Sequence, residues 1–257
     1  MALTATATVD TRRRICLILG MREPSVIATS PDKTNLCYWV KEGVSVHDFV
    51  TPLVAKLKVQ RSKLPRVMIF CRRIEDCSIL YRLFLMHLKK EFTEPIGAPN
   101  VSKFRLVDMY TSVTDKEVQD SIIASFCKID SSLRVLICTI AFGMGLDCHD
   151  VSQIIHWGPA SNLEAYMQEC GRAGRSGNAS SALLYVRHRD LSSPNISKDM
   201  KDYCKSEDTC RRHLLAIYFE MDFSAIKPRN CACCDVCARN CACSNCLCST
   251  FPVELYH

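Results

Sequence analysis

The chain has 257 residues, of which 48% are hydrophobic and 23% are charged, and its formal net charge is +6. This length and apolar content can bury a sizeable core, which excludes an intrinsically disordered protein. The modest positive charge permits a polyanionic partner but does not require one.

Two stretches bear on membranes and secretion. The longest apolar run, residues 135–146, is shorter than the roughly 20 residues that a membrane span needs, so we expect no membrane partner. Three arginines at residues 12–14 precede a short apolar run, as in a signal peptide, but Arg22 and Glu23 stand where a cleavage site needs small residues. The sequence therefore predicts a protein that is not secreted.

Strand-like runs alternate with longer amphipathic stretches, a pattern typical of a parallel sheet covered by helices. The predicted strands are residues 35–41, 67–71, 104–110, 133–139, 151–156 and 181–186, and the predicted helices are residues 45–60, 74–92, 115–126 and 162–170. The runs VMIFC and VLICT have no polar alternation, as expected of central parallel strands buried on both faces. The predicted fold class is α/β.

The sheet pattern stops after Val186, and Pro194 marks a boundary before a predicted helical segment at residues 198–219. Beyond Pro228 the chain is dominated by Cys, Asn and Ala, which cannot build an ordinary apolar core and so require a metal or cross-links. Ten of the 18 cysteines lie between Cys204 and Cys248, whereas the others are scattered singly through the body of the chain. Scattered cysteines in apolar segments suit buried thiols in a reducing compartment.

Glycine-rich loops at residues 139–147 and 168–177 are the candidates for chemistry. The first, TIAFGMGLD, follows a buried strand, and the second, QECGRAGRSG, ends a predicted helix and sets two arginines among three glycines. Glycines allow close backbone approach to a ligand, and guanidinium groups can stabilise the charge on a transferring phosphoryl group. Taken singly, the first loop could be a packed glycine turn and the second a solvated loop.

Together these loops carry a resemblance to the RecQ family of superfamily 2 helicases. Residues 139–147 are similar to motif V of that family and residues 168–177 to motif VI. Residues 2–7, ALTATA, resemble motif III, and residues 67–73, VMIFCRR, resemble motif IV. Both the order of these motifs along the chain and their residues agree with the family.

The resemblance implies a division of the chain into three parts. Residues 1–27 would be a remnant of a first RecA-like domain, and residues 28–190 would form the second, C-terminal RecA-like motor domain. Residues 195–248 would form a small helical zinc-binding module with a cysteine-rich tail. The fold would be a RecA-like parallel sheet with flanking helices, followed by this module.

The resemblance also implies roles for individual residues. Arg175 would be the arginine finger that reaches the γ-phosphate, and Arg172 its partner in motif VI. Gln168 would couple the nucleotide to DNA. The motif V residues expected near the nucleotide are Asp147, Gly145 and Gly143. Arg72 and Arg73 would contact phosphates of the tracked DNA strand, although an ordinary surface role for this pair stays open.

The tail supplies an independent indication of a metal. Cys210 lies on a predicted helix, and Cys231, Cys234 and Cys237 form a C-x2-C-x2-C run. Four converging thiolates complete a tetrahedral zinc site with no open position, so the zinc would be structural; disulfides or simple packing are the alternatives. Cys233 interrupts the run and could compete as a ligand. Four further cysteines have no counterpart that the family suggests, and they could bind a second metal or belong to an unstructured end: Cys241, Cys243, Cys246 and Cys248.

The sequence contains neither a G-x-x-x-x-G-K-[ST] run nor a DExH-like acidic box. The resemblance therefore implies part of an ATP-dependent 3′-5′ DNA helicase that would use ATP with Mg²⁺ only together with a first motor domain and would not hydrolyse ATP alone. A truncated gene product is the simplest account. The implied partners are single-stranded and forked DNA, the implied processes are DNA repair or recombination, and the implied location is the nucleus in a eukaryote or otherwise the cytoplasm.

Two other functions fit parts of the sequence. The chain could be a catalytically inactive, zinc-stabilised nucleic-acid-binding module derived from a helicase, which would fold and bind DNA without ATPase activity. A small redox or metal-storage protein would exploit the cysteine tail, but it would leave the motor motifs unexplained.

Overall fold

The fold is described from a computed structural model, which covers residue 2 and residues 6–27, 30–139, 148, 151–221 and 230–243. Residues 143, 145 and 147 of the first glycine-rich loop lie outside the described residues, as do most of residues 2–7 and the chain beyond residue 243.

One six-stranded sheet organises the chain, and every strand pair in it is parallel. The strands are β1 (Leu36–Glu42), β2 (Arg66–Cys71), β3 (Val107–Tyr110), β4 (Val135–Cys138), β5 (Val151–Trp157) and β6 (Ser180–Val186), in the order β1-β6-β5-β2-β4-β3. All six predicted strands are present. The third is shorter than predicted because Arg105 forms an isolated antiparallel bridge with Thr93 before the parallel pairing begins.

Helices cover both faces of the sheet. They are α1 (Val9–Ile18), α2 (Val46–Gln60), α3 (Ile74–Leu88), α4 (Lys116–Cys127), α5 (Leu163–Cys170), α6 (His188–Leu191), α7 (Lys198–Lys205), α8 (Arg211–Tyr218) and α9 (Asp235–Arg239). Helix α3 ends earlier than predicted because Lys89 adopts a positive φ of 50°, and a 3-10 turn, Lys89–Phe92, follows. The predicted helical segment at residues 198–219 is broken into α7 and α8.

Alternating side chains of the central strand separate two cores. Val67 and Ile69 of β2 face a core built with α2 and α3, whereas Met68 and Phe70 face the opposite core. This alternation follows from the two-residue period of a strand. The α/β fold class, with a parallel sheet between helices, is confirmed.

Helices α5, α7 and α8 and the cysteine segment pack on one face of the sheet. Tyr166, Tyr203 and Leu215 are buried in the same core as Cys233 and Cys234. Within the described residues, no helix is both long and apolar enough to cross a membrane. The division at residue 195 stays a prediction, but the helices beyond it share a core with the sheet.

Candidate functional site

Helix α5 carries the second glycine-rich motif. It begins after Asn162, whose side chain accepts a hydrogen bond from the backbone N–H of Ala165 at 2.8 Å. Tyr166, Met167 and Cys170 anchor the helix in the core. The following loop reaches the start of β5, where the Gly174 N–H donates to the Val151 carbonyl at 3.0 Å.

Lys33 holds the beginning of this loop. Its ammonium group donates to the carbonyls of Gly171 at 2.6 Å and Ala173 at 2.8 Å. Burial lowers the pKa of Lys33, and the positive charge of Arg175 lowers it further. A cation therefore fixes the carbonyls at the end of α5, where the helix dipole favours positive charge.

Asn35 holds the rest of the loop. Its side-chain amide donates to the carbonyls of Gly174 at 2.9 Å and Asn178 at 2.7 Å. Gly174 has a φ of +65°, and a Cβ there would lie 2.5 Å from the Asn35 amide nitrogen. The loop thus has one conformation that excludes a side chain at position 174.

Two positive charges project from this fixed loop. Arg175 is exposed and Arg172 is half-buried. Burial lowers the pKa of Arg172; Cys138 opposes this shift, whereas the neighbouring charge of Arg175 adds to it. Two neighbouring guanidinium groups on one loop create a site where a polyanion would be stabilised.

Gln168, in the last turn of α5, contacts the segment near the start of the chain that resembles motif III. Its amide donates to the hydroxyl of Thr6 at 3.0 Å, and Thr6 is only 7% exposed. The structure therefore joins the ALTATA segment to the helix that ends in the arginine loop. The remaining predicted nucleotide residues, Asp147, Gly145 and Gly143, lie outside the described residues.

Arg72 and Arg73 follow β2 and differ in their contacts. Arg73 is 58% exposed and makes a two-point ion pair with Asp76, both distances being 3.0 Å, in the first turn of α3. Arg72 is half-buried and donates to the Ser193 hydroxyl at 3.4 Å. The structure thus engages Arg73 in an ion pair with Asp76, and Arg72 makes the weaker contact with protein partners.

Sequence reasoning missed a buried pair that locks α5 to the sheet. His156 of β5 lies with its Nε2 2.7 Å from a carboxylate oxygen of Glu169, and His156 is 1% exposed. Phe70 stacks on the imidazole at 5.6 Å. The pair lines a small cavity of about 100 Å³ beside Arg72. The sequence offered only a signal too weak to use, a histidine within an apolar strand.

The cysteine segment forms two groups rather than one. The first contains four thiols whose sulfur atoms all lie within 4.8 Å of one another: Cys210, Cys233, Cys234 and Cys237. Cys231, which sequence spacing assigned to this group, instead lies within the same limit of Cys241 and Cys243. Cys233, the competitor identified from the sequence, takes its place. Hydrogen bonds from Cys233 and Cys234 lower the pKa of the Cys210 thiol to about 2.

Backbone pairing decides which cysteine faces the group. The Tyr38 N–H in β1 donates to the Cys233 carbonyl at 3.3 Å, and Tyr38 and Cys234 form a parallel bridge. The Cys234 sulfur in turn accepts from the Cys237 N–H at 3.5 Å and caps α9. Residues 233–234 are thereby held against the edge of the sheet.

Two buried arginines at the start of α8 contact different segments. Arg211 pairs with Asp235 at 3.0 Å, next to the cysteines. Arg212 pairs with Asp32 and donates to the Lys33 carbonyl at 3.1 Å. Lys33 is the residue that holds the loop, so Arg212 links the helix that follows Cys210 to the segment that holds the arginine loop.

Comparison with known proteins places these features in a family. Residues 50–177 match the family described as helicase conserved C-terminal domain. The chain is 27% identical over 253 residues to the ATP-dependent helicase SGS1 of Saccharomyces cerevisiae, covering 90% of this chain and 16% of that protein. It is 26% identical over 254 residues to the ATP-dependent DNA helicase RecQ of Bacillus subtilis, covering 92% of this chain and 38% of RecQ.

Solved structures agree on the fold. Dbp5 of S. cerevisiae bound to RNA and ADP BeF3 superposes with a TM-score of 0.54 at 16% identity, covering 84% of this chain and 48% of that one. Helicase Lhr of Mycobacterium smegmatis bound to ssDNA and AMP-PNP gives a TM-score of 0.54 at 21% identity, covering 74% of this chain and 24% of the Lhr chain. The chain thus spans well under half the length of the RecQ relatives. The family match, the RecQ relatives and the parallel sheet together identify this chain as a RecQ-type member of the superfamily 2 helicases that contains their C-terminal motor domain.

Proposed function

We propose that this chain supplies the arginine finger and the DNA-tracking surface of an ATP-dependent 3′-5′ DNA helicase that acts in DNA repair or recombination. The observation that carries the proposal is the loop of Arg172 and Arg175, which Lys33 and Asn35 hold in one conformation through four hydrogen bonds to backbone carbonyls. A fixed loop is what an arginine finger requires, because its donors must not reorganise as charge develops.

Arg175 would act on the γ-phosphate of ATP, and Arg172 would support it from its half-buried position. Two adjacent cations fit a triphosphate, whose oxygens accept charge-assisted hydrogen bonds from guanidinium groups. ATP with Mg²⁺ would be held chiefly by a first motor domain, and Mg²⁺ would neutralise part of the phosphate charge. Asp147, Gly145 and Gly143 are proposed to lie near the nucleotide.

Gln168 would link nucleotide and DNA. Its hydrogen bond to Thr6 joins the arginine helix to the segment that resembles motif III. Arg72 is the better of the two proposed phosphate contacts, since Arg73 is engaged by Asp76. Single-stranded and forked DNA are the proposed substrates, and the nucleus is the proposed location in a eukaryote.

A structural Zn²⁺ is proposed for the four-cysteine group of Cys210, Cys233, Cys234 and Cys237. Four mutually close thiols offer the closed tetrahedral set that structural zinc prefers. Cys233 replaces Cys231 in the ligand set proposed from spacing alone. The ion would fix α8 and α9 to each other, and through Arg212 it would support the segment that holds the arginine loop.

The experiment uses a protein in which this chain follows a RecQ-type first motor domain. Arg175→Ala should lower the kcat for DNA-stimulated ATP hydrolysis by about 10³-fold or more, while the affinity for single-stranded DNA stays unchanged. Arg189→Ala, which removes another exposed arginine, is the matched control and should leave both quantities unaltered. Hydrolysis that survives Arg175→Ala would refute the finger assignment.

The two-domain protein separates this proposal from a nucleic-acid-binding module, because neither function predicts ATP hydrolysis by the chain alone. We expect no ATP hydrolysis by the 257-residue chain under conditions in which the two-domain protein is active. If the two-domain protein also fails to hydrolyse ATP while the chain binds single-stranded DNA tightly, the binding-module function is favoured.

A further inference from the structure

A second group of thiols lies beside the four-cysteine group. The sulfur atoms of Cys231 and Cys243 are 3.6 Å apart, and those of Cys241 and Cys243 are 2.6 Å apart. All three sulfur atoms fall within 4.8 Å of one another. None of these thiols belongs to the group proposed above for structural zinc.

The local fold explains why these three residues meet. Cys231 is 1% exposed and sits in a 3-10 turn, Asn230–Ala232, whose Ala232 packs against Cys37. After α9 the chain turns back, with the Cys241 N–H donating to the Ala238 carbonyl at 3.3 Å. This return brings the C-x-C pair, Cys241 and Cys243, over the buried Cys231.

The three thiols open onto a cleft of about 510 Å³. Cys210 and Cys237 of the first group line the same cleft, and its walls also include Asp208 and Asn240. The cleft leaves room for a fourth, exchangeable ligand at the second group. Three thiolates with one open position form a soft donor set that suits a thiophilic ion such as Zn²⁺.

We propose that Cys231, Cys241 and Cys243 bind a second Zn²⁺, separate from the ion of the four-cysteine group. The three thiols lose their protons on binding, and the ion fixes the segment after α9 to the buried 3-10 turn. Few apolar side chains are available in this segment, so the ion takes the place of a core. This site gives a ligand role to Cys231, which backbone pairing leaves outside the first group.

The test measures metal content in the full chain, purified under reducing conditions with zinc present. Elemental analysis should find about two zinc ions per chain. The double substitution Cys241→Ser with Cys243→Ser should remove one ion and leave the other. Both residues lie at or near the surface, so the circular dichroism of the sheet should not change.

Further variants separate the two sites. Cys233→Ser should release the ion of the four-cysteine group and keep the second, and Cys16→Ser, in α1, should keep both. Co²⁺ in place of zinc adds a readout, because the intensity of its thiolate charge-transfer band should fall by about three of seven parts in the Cys241/Cys243 double variant. If the four-cysteine group binds no zinc, the chain should still contain one zinc ion, and the Cys241/Cys243 double variant should remove it.

Three results would overturn the proposal. The zinc content could be unchanged in the Cys241/Cys243 double variant. Mass spectrometry of the reduced, zinc-loaded chain could find Cys241 and Cys243 joined as a disulfide. Elemental analysis could find copper rather than zinc at the site that the double substitution removes.

Discussion

Arg212 is the residue whose removal should be most informative. Its side chain is 2% exposed, that of its partner Asp32 is 3% exposed, and the guanidinium also donates to the carbonyls of Lys33 and Leu36. The guanidinium lies 5.3 Å from the ring centroid of Tyr38. Arg212 thus connects α8, which follows the first cysteine of the zinc group, to the segment that holds the arginine loop.

Arg212→Ala leaves the Asp32 carboxylate buried without its cation. Breaking a buried ion pair by removing one partner costs about 3–5 kcal/mol in the free energy of unfolding. Domains of this kind are stabilised by only about 5–15 kcal/mol in total, so the loss is a large fraction of the whole. Arg212→Lys should recover only part of it, because an ammonium group cannot reproduce the planar set of donors that reaches Asp32 and both carbonyls.

Urea unfolding, followed by far-ultraviolet circular dichroism, measures the loss. Arg239→Ala is the matched control in the same module, since Arg239 is exposed and makes a single hydrogen bond, to the Glu207 carbonyl. That change should stay within about 0.5 kcal/mol of the wild type. Zinc content is measured in each variant, so that loss of the ion is distinguished from loss of the ion pair.

A double-mutant cycle completes the test. With Arg212 already replaced, Asp32→Ala should cost little or restore stability, because it removes the unpaired carboxylate. The reasoning is refuted if Arg212→Ala, with zinc content unchanged, lowers the free energy of unfolding by less than about 1 kcal/mol.

Two further predictions concern the helix and loop that carry the arginines. Gly174→Ala and Gly177→Ala both force a side chain into the left-handed region, at a cost of about 1–2 kcal/mol in the free energy of unfolding. Gly174→Ala should cost more, since its Cβ would also displace Asn35, and equal losses in urea unfolding would contradict this account. Asn162→Ala removes the N-cap of α5 and should lower the free energy of unfolding by about 1 kcal/mol, whereas an unchanged urea midpoint would mean that the cap contributes nothing.

Much of the sheet could be predicted because its signal is local. The runs VMIFC and VLIC are apolar at every position, and the structure buries residues 66–71 and 135–138. Parallel strands that are covered on both faces typically have such a continuous apolar run in the sequence. The family could also be recognised from the sequence, because the segments that resemble motifs V and VI concentrate glycine and arginine over a few residues.

The contacts that hold the arginine loop could not be predicted. Lys33 and Asn35 donate to backbone carbonyls 138 to 143 residues away. Every residue has such a carbonyl, so the sequence does not indicate which ones these side chains contact. Only the pairing of β1 with β6, which sets the start of one strand beside the start of the other, brings these polar side chains to the loop. Arg73 is a similar case, since the sequence indicates its charge but not the ion pair with Asp76 that engages it.

For the cysteines, the sequence by itself indicated that the tail needs a metal or cross-links, because it has too few apolar residues to form a core and has thiols at ligand spacing. Only the tertiary structure decided how the thiols divide. Spacing favoured Cys231 over Cys233 as a ligand beside Cys234 and Cys237. The structure instead turns Cys233 toward Cys210 through the bridge between Tyr38 and Cys234, while Cys231 faces the returning chain at Cys243. Spacing limits which residues can meet, but the direction of each side chain is set by strand pairing with a segment nearly 200 residues earlier.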